Sequence, residues 1–564
     1  MIGVIAKPDQ RPVVEEFFEL FKTPWEFYRA GTSYEVVIAT AGEIPQPAVR
    51  LLISYGAARQ GDGRLGFIPA ERFAGATVSD TDGPLPVYGD VLTFKQDQPR
   101  DVCLRANVGI VGLRSDSANG GIIRVGFDLF EEVRCLLSSG QPVENAHIPA
   151  LDVHVSMLRR WILAAGIPLV EIPPTPAGRD FAVCLTHDID FVGIRRHKLD
   201  HTMWGFLYRS TAGALLDAIR GRLPARRLLR MWQAAASLPF VYLGWAKDFW
   251  EPFAWYLKTE ENLPATYYLI PFKGRPGEQV AGRGAARRAT AYDISDVKEW
   301  AARLLNEGCE IGVHGIDAWH DADKGRDELA RIAEVTGAAG VGIRMHWLLR
   351  NAETASILDE SGYAYDSTAG YNETIGYRAG TTQVYRPHGA RRLLELPMHI
   401  QDGALFYPTR LGLSEPEADE RCQRLIGVAR RLGGVLTVLW HDRSHGPERF
   451  WGDFYVRLVG ALRSSNAWFG TGAQVVGWFR QRRQVRFERV DVAGASRLVV
   501  RHPGGEIAPM ACVRIYRPSA RGASIDAAPD AIDIPWNGLT AIELDADLRP
   551  VVGIPEQLPA MASL

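Results

Sequence analysis

Short apolar runs alternate with helix-length stretches over much of the chain, most regularly from Phe181 onward. There Ala182 to Thr186, Ala265 to Ile270, Glu310 to His314, Gly340 to His346, Leu394 to His399 and Val435 to His441 read as strands. Ile294 to Asn306, Asp327 to Val335, Ala352 to Ser361 and Pro416 to Leu432 read as helices between them. Near-continuous apolar strands joined by helices are what a parallel sheet covered on both faces requires. About seven such units predict an α/β architecture with a (β/α)7-type distorted barrel at its centre, an open doubly wound sheet being the other solution.

The flanks read differently. Before residue 172, short apolar runs (Val36 to Ala39, Leu51 to Tyr55, Gly109 to Leu113) mix with helix-like stretches (Gly126 to Ser138, Leu151 to Ala165), which predicts a separate α/β domain. Ile172-Pro173-Pro174-Thr175-Pro176 then breaks regular structure, because adjacent prolines remove donors and fix φ. After Arg483, alternating runs (Val485 to Val490, Ser496 to Val500, Cys512 to Tyr516, Ala541 to Leu544) predict a small antiparallel β-rich domain. The expected domains are therefore 1–172, 173–483 and 484–564, a division that the length of 564 residues also favours.

Charge and cysteine usage narrow the function classes. With 64 basic against 66 acidic residues, the chain as a whole is no polyanion binder, so nucleic acid is not an expected partner. Six scattered cysteines without a CxxC pair read as reduced, buried thiols. Met1 to Arg11 lacks the apolar core of an export signal and no apolar run reaches membrane-spanning length, so a cytoplasmic protein is expected. One segment departs from the overall balance. In an insertion at about 192–245, cations including Arg195, Arg209, Arg226, Arg227 and Arg230 face only Asp200 and Asp217, interleaved with Trp204, Phe206, Leu215 and Leu229. Such a stretch is either a solvated helical cover or a peripheral contact to an anionic membrane, possible at the inner face of the membrane.

Candidate chemistry sits at the strand ends. Asp188 and Asp190, two apart at the carboxyl end of an apolar strand, project to one side, where two carboxylates are costly unless a cation or a proton lies between them. His314 and His320 flank another strand end; six residues apart, they cannot share one face of a straight helix and must converge through a turn. Imidazoles plus a carboxylate make a common site for zinc or a similar divalent ion.

The segment Thr186-His187-Asp188-Ile189-Asp190, with these histidines, resembles the polysaccharide deacetylase superfamily, the NodB-homology or carbohydrate esterase family 4 type, in a THDID variant of its first motif. The resemblance spans about 310 residues and implies Asp188 as base and Asp190 as metal ligand. His314 takes the first position of the family's HxxxH motif, but Ala318 stands at the spacing of four, so His320 or else Asp317 is expected to complete the site. Arg344-Met345-His346-Trp347 resembles the third motif, whose arginine pairs with the catalytic aspartate. Tyr365-Asp366-Ser367-Thr368 resembles the fourth and Val438-Leu439-Trp440-His441-Asp442 the fifth, making His441 the general acid, oriented by Asp366 or Asp402. The implied cofactor is a divalent metal, zinc first, with Mn, Fe, Co or Ni also open. The implied reaction removes an acyl group, N-acetyl above all, from a carbohydrate on which Trp319, Trp347 and Trp440 could stack. A nucleotide-linked or lipid-linked sugar used in surface polysaccharide assembly is the expected substrate. The rivals are hydrolysis of a non-carbohydrate amide, and a non-catalytic carbohydrate-binding or scaffold protein on the same barrel.

Overall fold

The computed structural model describes all residues except 43–48, 64, 82, 97–100, 118–119, 222, 279–287, 493–494, 519–529, 544–549 and 552–564. Arg222 of the basic insertion and Leu544 of the last expected strand lie outside the described residues. The chain forms two compact units: Met1–Arg179 with Ala379–His388 and Gly477–Leu564, and Asp180–Arg378 with Gly389–Val476.

The second unit is built on a curled parallel sheet. From one edge its strands are Leu394–Glu395, Tyr365–Asp366, Gly342–Met345, Glu310–Gly315, Ala265–Leu269, Phe181–Ile189, Val435–Leu439 and Ile400–Gln401, and Ala467–Phe469 also pairs with Phe181–Ile189. Every residue of Phe181–Ile189 is buried, as a strand covered on both faces must be. This is the expected distorted barrel. Its two edge strands do not pair with each other among the described residues. The run Leu394 to His399 was expected to form one strand. Only Leu394–Glu395 does, and beyond Pro397 the chain joins the opposite edge as Ile400–Gln401.

Helix ends follow local chemistry. Asp321 caps Ala322–Thr336 by accepting from Asp323 N and Lys324 N, and Gly337 ends it in left-handed backbone at φ 67°. This helix starts five residues before the expected Asp327, because its first turn is polar and carries no apolar signal. Ile294 to Asn306 divides into a 3-10 turn, Ile294–Val297, and an α-helix, Lys298–Asn306. The basic insertion is helical, with His201–Tyr208, Ala214–Ile219 and Ala225–Tyr242 as its helices.

The first unit carries a nine-stranded mixed sheet. Trp25–Phe27, Ile2–Ile5, Val36–Ala39, Leu51–Ser54 and Gly120–Val125 run parallel, and Gly109–Ser117, Asp101–Ala106, Ile68–Asp80 and Gly83–Lys95 continue it antiparallel. The expected separation of 1–172 from 484–564 does not appear in this division, for a visible reason. Leu169–Glu171 joins Cys512–Tyr516 and Ala531–Pro535 in one antiparallel sheet. Ala379–His388 belongs here too: Asp152 accepts from Thr381 Oγ1 at 2.7 Å and Thr382 N at 2.8 Å. All six cysteines are free. Four are buried, while Cys103 and Cys135 are half-exposed rather than buried as expected. No helix of the described residues is long and apolar enough to cross a membrane.

Candidate active site

Three strand ends of the second unit supply the central group, those of Glu310–Gly315 and Gly342–Met345 being neighbours and that of Phe181–Ile189 lying one strand, Ala265–Leu269, further along the sheet. Strand alternation puts Thr186, Asp188 and Asp190 on one side, and His187 on the other, where it is hydrogen-bonded to Trp440 O at 3.0 Å and Glu260 at 2.8 Å. In the adjacent strands His314 pairs in register with Arg344, which sets His346 just beyond the end of Gly342–Met345. Gly315 permits this approach, since a Cβ there would lie 2.5 Å from Met345 Sδ. Asp190 Oδ1 thereby lies 3.3 Å from His314 Nε2 and 3.2 Å from His346 Nε2.

This arrangement suits a cation. Asp190 Oδ1 is buried without a hydrogen-bond partner, and the three ligand atoms lie within 4.8 Å of one another. His314 Nδ1 donates to Arg344 O at 3.0 Å, since a carbonyl can only accept, which leaves Nε2 as the ring atom that faces Asp190. Burial lowers the pKa of His346 to about 3, which keeps its imidazole neutral as a ligand requires. Burial works to raise the pKa of Asp190, but the histidines around it, His346, His314 and His441, outweigh it and hold the carboxyl below the usual range.

His320, expected in this group, is elsewhere. Its Nε2 lies 3.4 Å from Asp317 Oδ1 and 3.8 Å from Glu278, and Asp317 also accepts from Glu278 N at 2.7 Å. His346 stands where His320 or Asp317 was expected, because the neighbouring parallel strand brings it in and the turn after His314 carries the other two away.

Asp188 lies against Arg344 as expected. Arg344 is fully buried and donates to Asp188 Oδ1 at 3.0 Å, Thr186 Oγ1 at 2.8 Å, Ser367 O at 2.9 Å and Ser367 Oγ at 2.8 Å, with its guanidinium over the Tyr268 ring at 4.5 Å. Every edge of the fork is used, which fixes the carboxylate in place. Asp188 Oδ2 remains, 3.9 Å from His314 Nε2 and facing the cavity.

His441 and Asp402 form the third part. Gln401 pairs with Leu439, so the residues that follow each strand run side by side. Asp402, fully buried, accepts from His441 Nδ1 at 2.6 Å and His441 N at 2.8 Å, and from Ser444 Oγ. Asp366, the other candidate, accepts from Thr368 N at 3.0 Å and lies in a strand on the other side of the sheet. Burial works to lower the pKa of His441, but the charge and hydrogen bond of Asp402, then the charges of Asp190 and Asp188, raise it to about 10. An imidazolium held this way can donate a proton from Nε2. The rate should then fall as pH rises through the His441 pKa, and loss of the Asp402 anion should move that fall to lower pH. The alkaline limb of kcat/KM in Asp402→Asn is expected at least about one pH unit below that of the unsubstituted chain; an unmoved limb would count against the pairing.

These groups line one cavity of about 750 Å³, with Arg288, Trp347, Asn372, Gln401, Tyr407, Arg410, Arg443 and Arg449 among its other walls. Of the three tryptophans expected to stack on sugar, only Trp347 does line it, 45% exposed. Trp319 and Trp440 are buried in the apolar core of the unit, Trp440 stacked on Phe454 at 5.9 Å. Trp347 and Leu348 adopt left-handed backbone at φ 67° and 54°, and Asn372 Nδ2 donates to Trp347 O at 3.0 Å. Conformations this unfavourable for bulky residues concentrate at functional sites.

Two contributors were not assigned from the sequence. Arg288 Nη2 donates to Ile316 O at 2.6 Å, Gly315 O at 3.3 Å and His346 O at 3.2 Å, tying together the segments that follow His314 and Met345. Asp442 Oδ1 accepts from Asp190 N at 3.2 Å, and burial, then the charge of Asp190, raise its pKa to about 7. Arg288 stands in no motif, and Asp442, though it closes the fifth motif, was given no role there; both act through backbone groups.

No protein-family model matches the sequence, and no curated protein matches it. Solved structures do. A protein described as a polysaccharide deacetylase, from Mycobacterium smegmatis, is 19% identical with a TM-score of 0.34, over 55% of this chain and 95% of that one. Another so described, from Pseudomonas aeruginosa PAO1, is 14% identical with a TM-score of 0.33, over 55% and 94%. The Puue allantoinase is 13% identical with a TM-score of 0.32, over 54% and 92%. The solved structures to which this chain is similar thus include polysaccharide deacetylases.

Proposed function

We propose that the second unit is a metal-dependent deacylase of carbohydrates that hydrolyses an N-acetyl amide. One observation carries this reading: Asp190, His314 and His346 meet on the wall of a cavity that also holds Asp188, fixed by Arg344, and His441, fixed by Asp402. The motif order of the sequence supports it. The donor set, two imidazoles and one carboxylate, fits zinc. A divalent ion held there supplies Lewis acidity to the acyl carbonyl and to water.

The chain's own residues supply the rest. Asp188 Oδ2 takes a proton from the attacking water as its oxygen bonds to the acyl carbon. Arg344 keeps Asp188 oriented until then. His441 Nε2 gives a proton to the departing nitrogen as the C–N bond breaks, releasing acetate and the free amine, and Asp402 steadies the imidazolium until that transfer. Trp347 offers an aromatic face to a sugar ring.

Acetate release from N-acetylated amino sugars, with matching free amine, is the test. Release is expected from protein with its metal, should stop with dipicolinate and should return with zinc. Release from small linear or cyclic amides but from no sugar would overturn the carbohydrate assignment; chelator-insensitive release would overturn the metal assignment.

A further inference from the structure

We propose that the cavity contains a subsite for a phosphate or diphosphate group of the substrate, built from Arg410, Arg443 and Arg449. That the anion is the substrate's own rests on the deacylase reading; that the arginines bind one does not. All three line the cavity, and among the described residues none has a carboxylate within 4.0 Å or a side-chain hydrogen bond. Elsewhere in this unit Arg344 is matched by Asp188, Arg227 and Arg457 by Glu415, and Arg288, on the same cavity, by backbone carbonyls. The nearby acids are each hydrogen-bonded through one oxygen, while Asp442 Oδ2 and Glu448 Oε1 are buried without a partner among the described residues. Asp442 accepts from Asp190 N, and Glu448 accepts from Trp250 Nε1 at 3.1 Å.

Aromatic faces hold the guanidinium groups in place. Arg443 lies over Phe191 at 3.9 Å and Trp250 at 4.8 Å, Arg449 over Tyr407 at 5.2 Å and Trp451 at 5.0 Å, and Arg410 over Tyr407 at 5.6 Å. Stacking uses the planes and leaves the N–H edges for a ligand. Like charges gathered in a partly enclosed space repel: burial and the Arg449 cation lower the pKa of Arg443, whereas burial works to lower that of Arg449 but Tyr407, Glu448, Asp402 and Asp442 raise it. Three forks suit the several oxygens of a phosphate or diphosphate better than the two of one carboxylate.

Calorimetric titration of inorganic pyrophosphate into the full-length protein, and into Asp190→Asn to exclude binding through a metal, tests this. Binding is expected in both, weakening with salt and falling at least tenfold in Arg443→Gln/Arg449→Gln, with Arg410→Gln as the second variant should the double one fail to fold. No binding, unchanged affinity in the folded variants, or tighter binding of galacturonate than of pyrophosphate would overturn the subsite. Uridine diphosphate and a polyprenyl phosphate in phosphatidylcholine vesicles separate soluble from lipid sources, and binding of either supports it. Pyrophosphate binding without acetate release would sink the deacylase reading alone; acetate release without pyrophosphate binding would sink the subsite alone.

A different observation carries a second proposal. Helix Ala225–Tyr242 buries Met231, Ala234, Leu238 and Val241 on one face, yet Leu229, Trp232, Phe240 and the following Leu243 are 42–61% exposed. At about 100° per residue these four fall within roughly 80° of arc on the opposite side, a second apolar stripe that is exposed among the described residues. Leu199, Trp204, Tyr208, Leu215, Leu216, Ile219 and Trp245 of the same insertion are also exposed. Lys198, Arg209, Arg220, Arg226 and Arg230 are exposed among them and have no acidic partner among the described residues. We infer that this face rests on an anionic lipid surface, where amphipathic aromatics and long cations each find their medium.

Full-length protein is expected to co-sediment with vesicles containing roughly 30% phosphatidylglycerol but not with pure phosphatidylcholine. Partitioning should fall at least tenfold in Arg226→Glu/Arg230→Glu and, separately, in Trp232→Ser/Trp245→Ser. No co-sedimentation, indifference to both variants, or self-association abolished by the tryptophan variant would overturn it.

Discussion

Replacing His346 with glutamine is expected to strip the chain of its divalent ion and to lower deacylation at least a hundredfold, while His320→Gln keeps both. Loss of an outer-shell partner alone costs about 10–100-fold in metal affinity or activity, and loss of a donor atom from a three-residue set costs more. The geometry makes the two histidines unequal. His346 Nε2 stands 3.2 Å from the unpartnered Asp190 Oδ1, whereas His320 Nε2 stands 3.4 Å from Asp317, outside the cavity. Metal content by plasma mass spectrometry after dialysis, read beside the acetate-release rate, decides it. Stoichiometric metal in His346→Gln, or its loss in His320→Gln, would refute the ligand assignment.

That swap of histidines shows where sequence stops being informative. The strands were legible because their apolar runs are long and their ends carry the charged residues. Asp188 and Asp190 followed from strand periodicity, His314 from its place at a strand end, and the roles of all three from the family resemblance. The third member of the group did not, because it depends on register between separate strands: His314 opposite Arg344 brings in a residue thirty-two positions away, and no local spacing encodes that pairing. Asp402 was undecided against Asp366 for the same reason. The choice turns on the chain joining the opposite sheet edge after Pro397, and Leu394 to His399 reads as a single apolar run. Trp319 and Trp440 illustrate the converse error, since an aromatic beside a motif is as readily core as surface and only packing tells which. Arg288 was beyond reach, because its partners are backbone carbonyls, which leave no trace in the identity of the residues that own them.

Asp188→Asn is expected to lower kcat by about 10²- to 10⁴-fold, the range a positioned general base contributes, with metal content unchanged. Asparagine keeps the shape, and its carbonyl oxygen can still accept from Arg344, so Thr186, Ser367 and the amide continue to hold the guanidinium. What disappears is the second carboxylate oxygen, the atom that faces the cavity and can take a proton. The substitution also leaves Arg344 fully buried without its anion, a change that costs about 3–5 kcal/mol where nothing else compensates and less here because neutral acceptors remain. Stability and turnover must therefore be measured together. A modest drop in Tm with intact metal and a kcat loss of two decades or more assigns the proton to Asp188. A kcat within tenfold of the unsubstituted chain would assign it elsewhere, and Asp442, buried beside Asp190 with its pKa raised to about 7, would be the group to replace next.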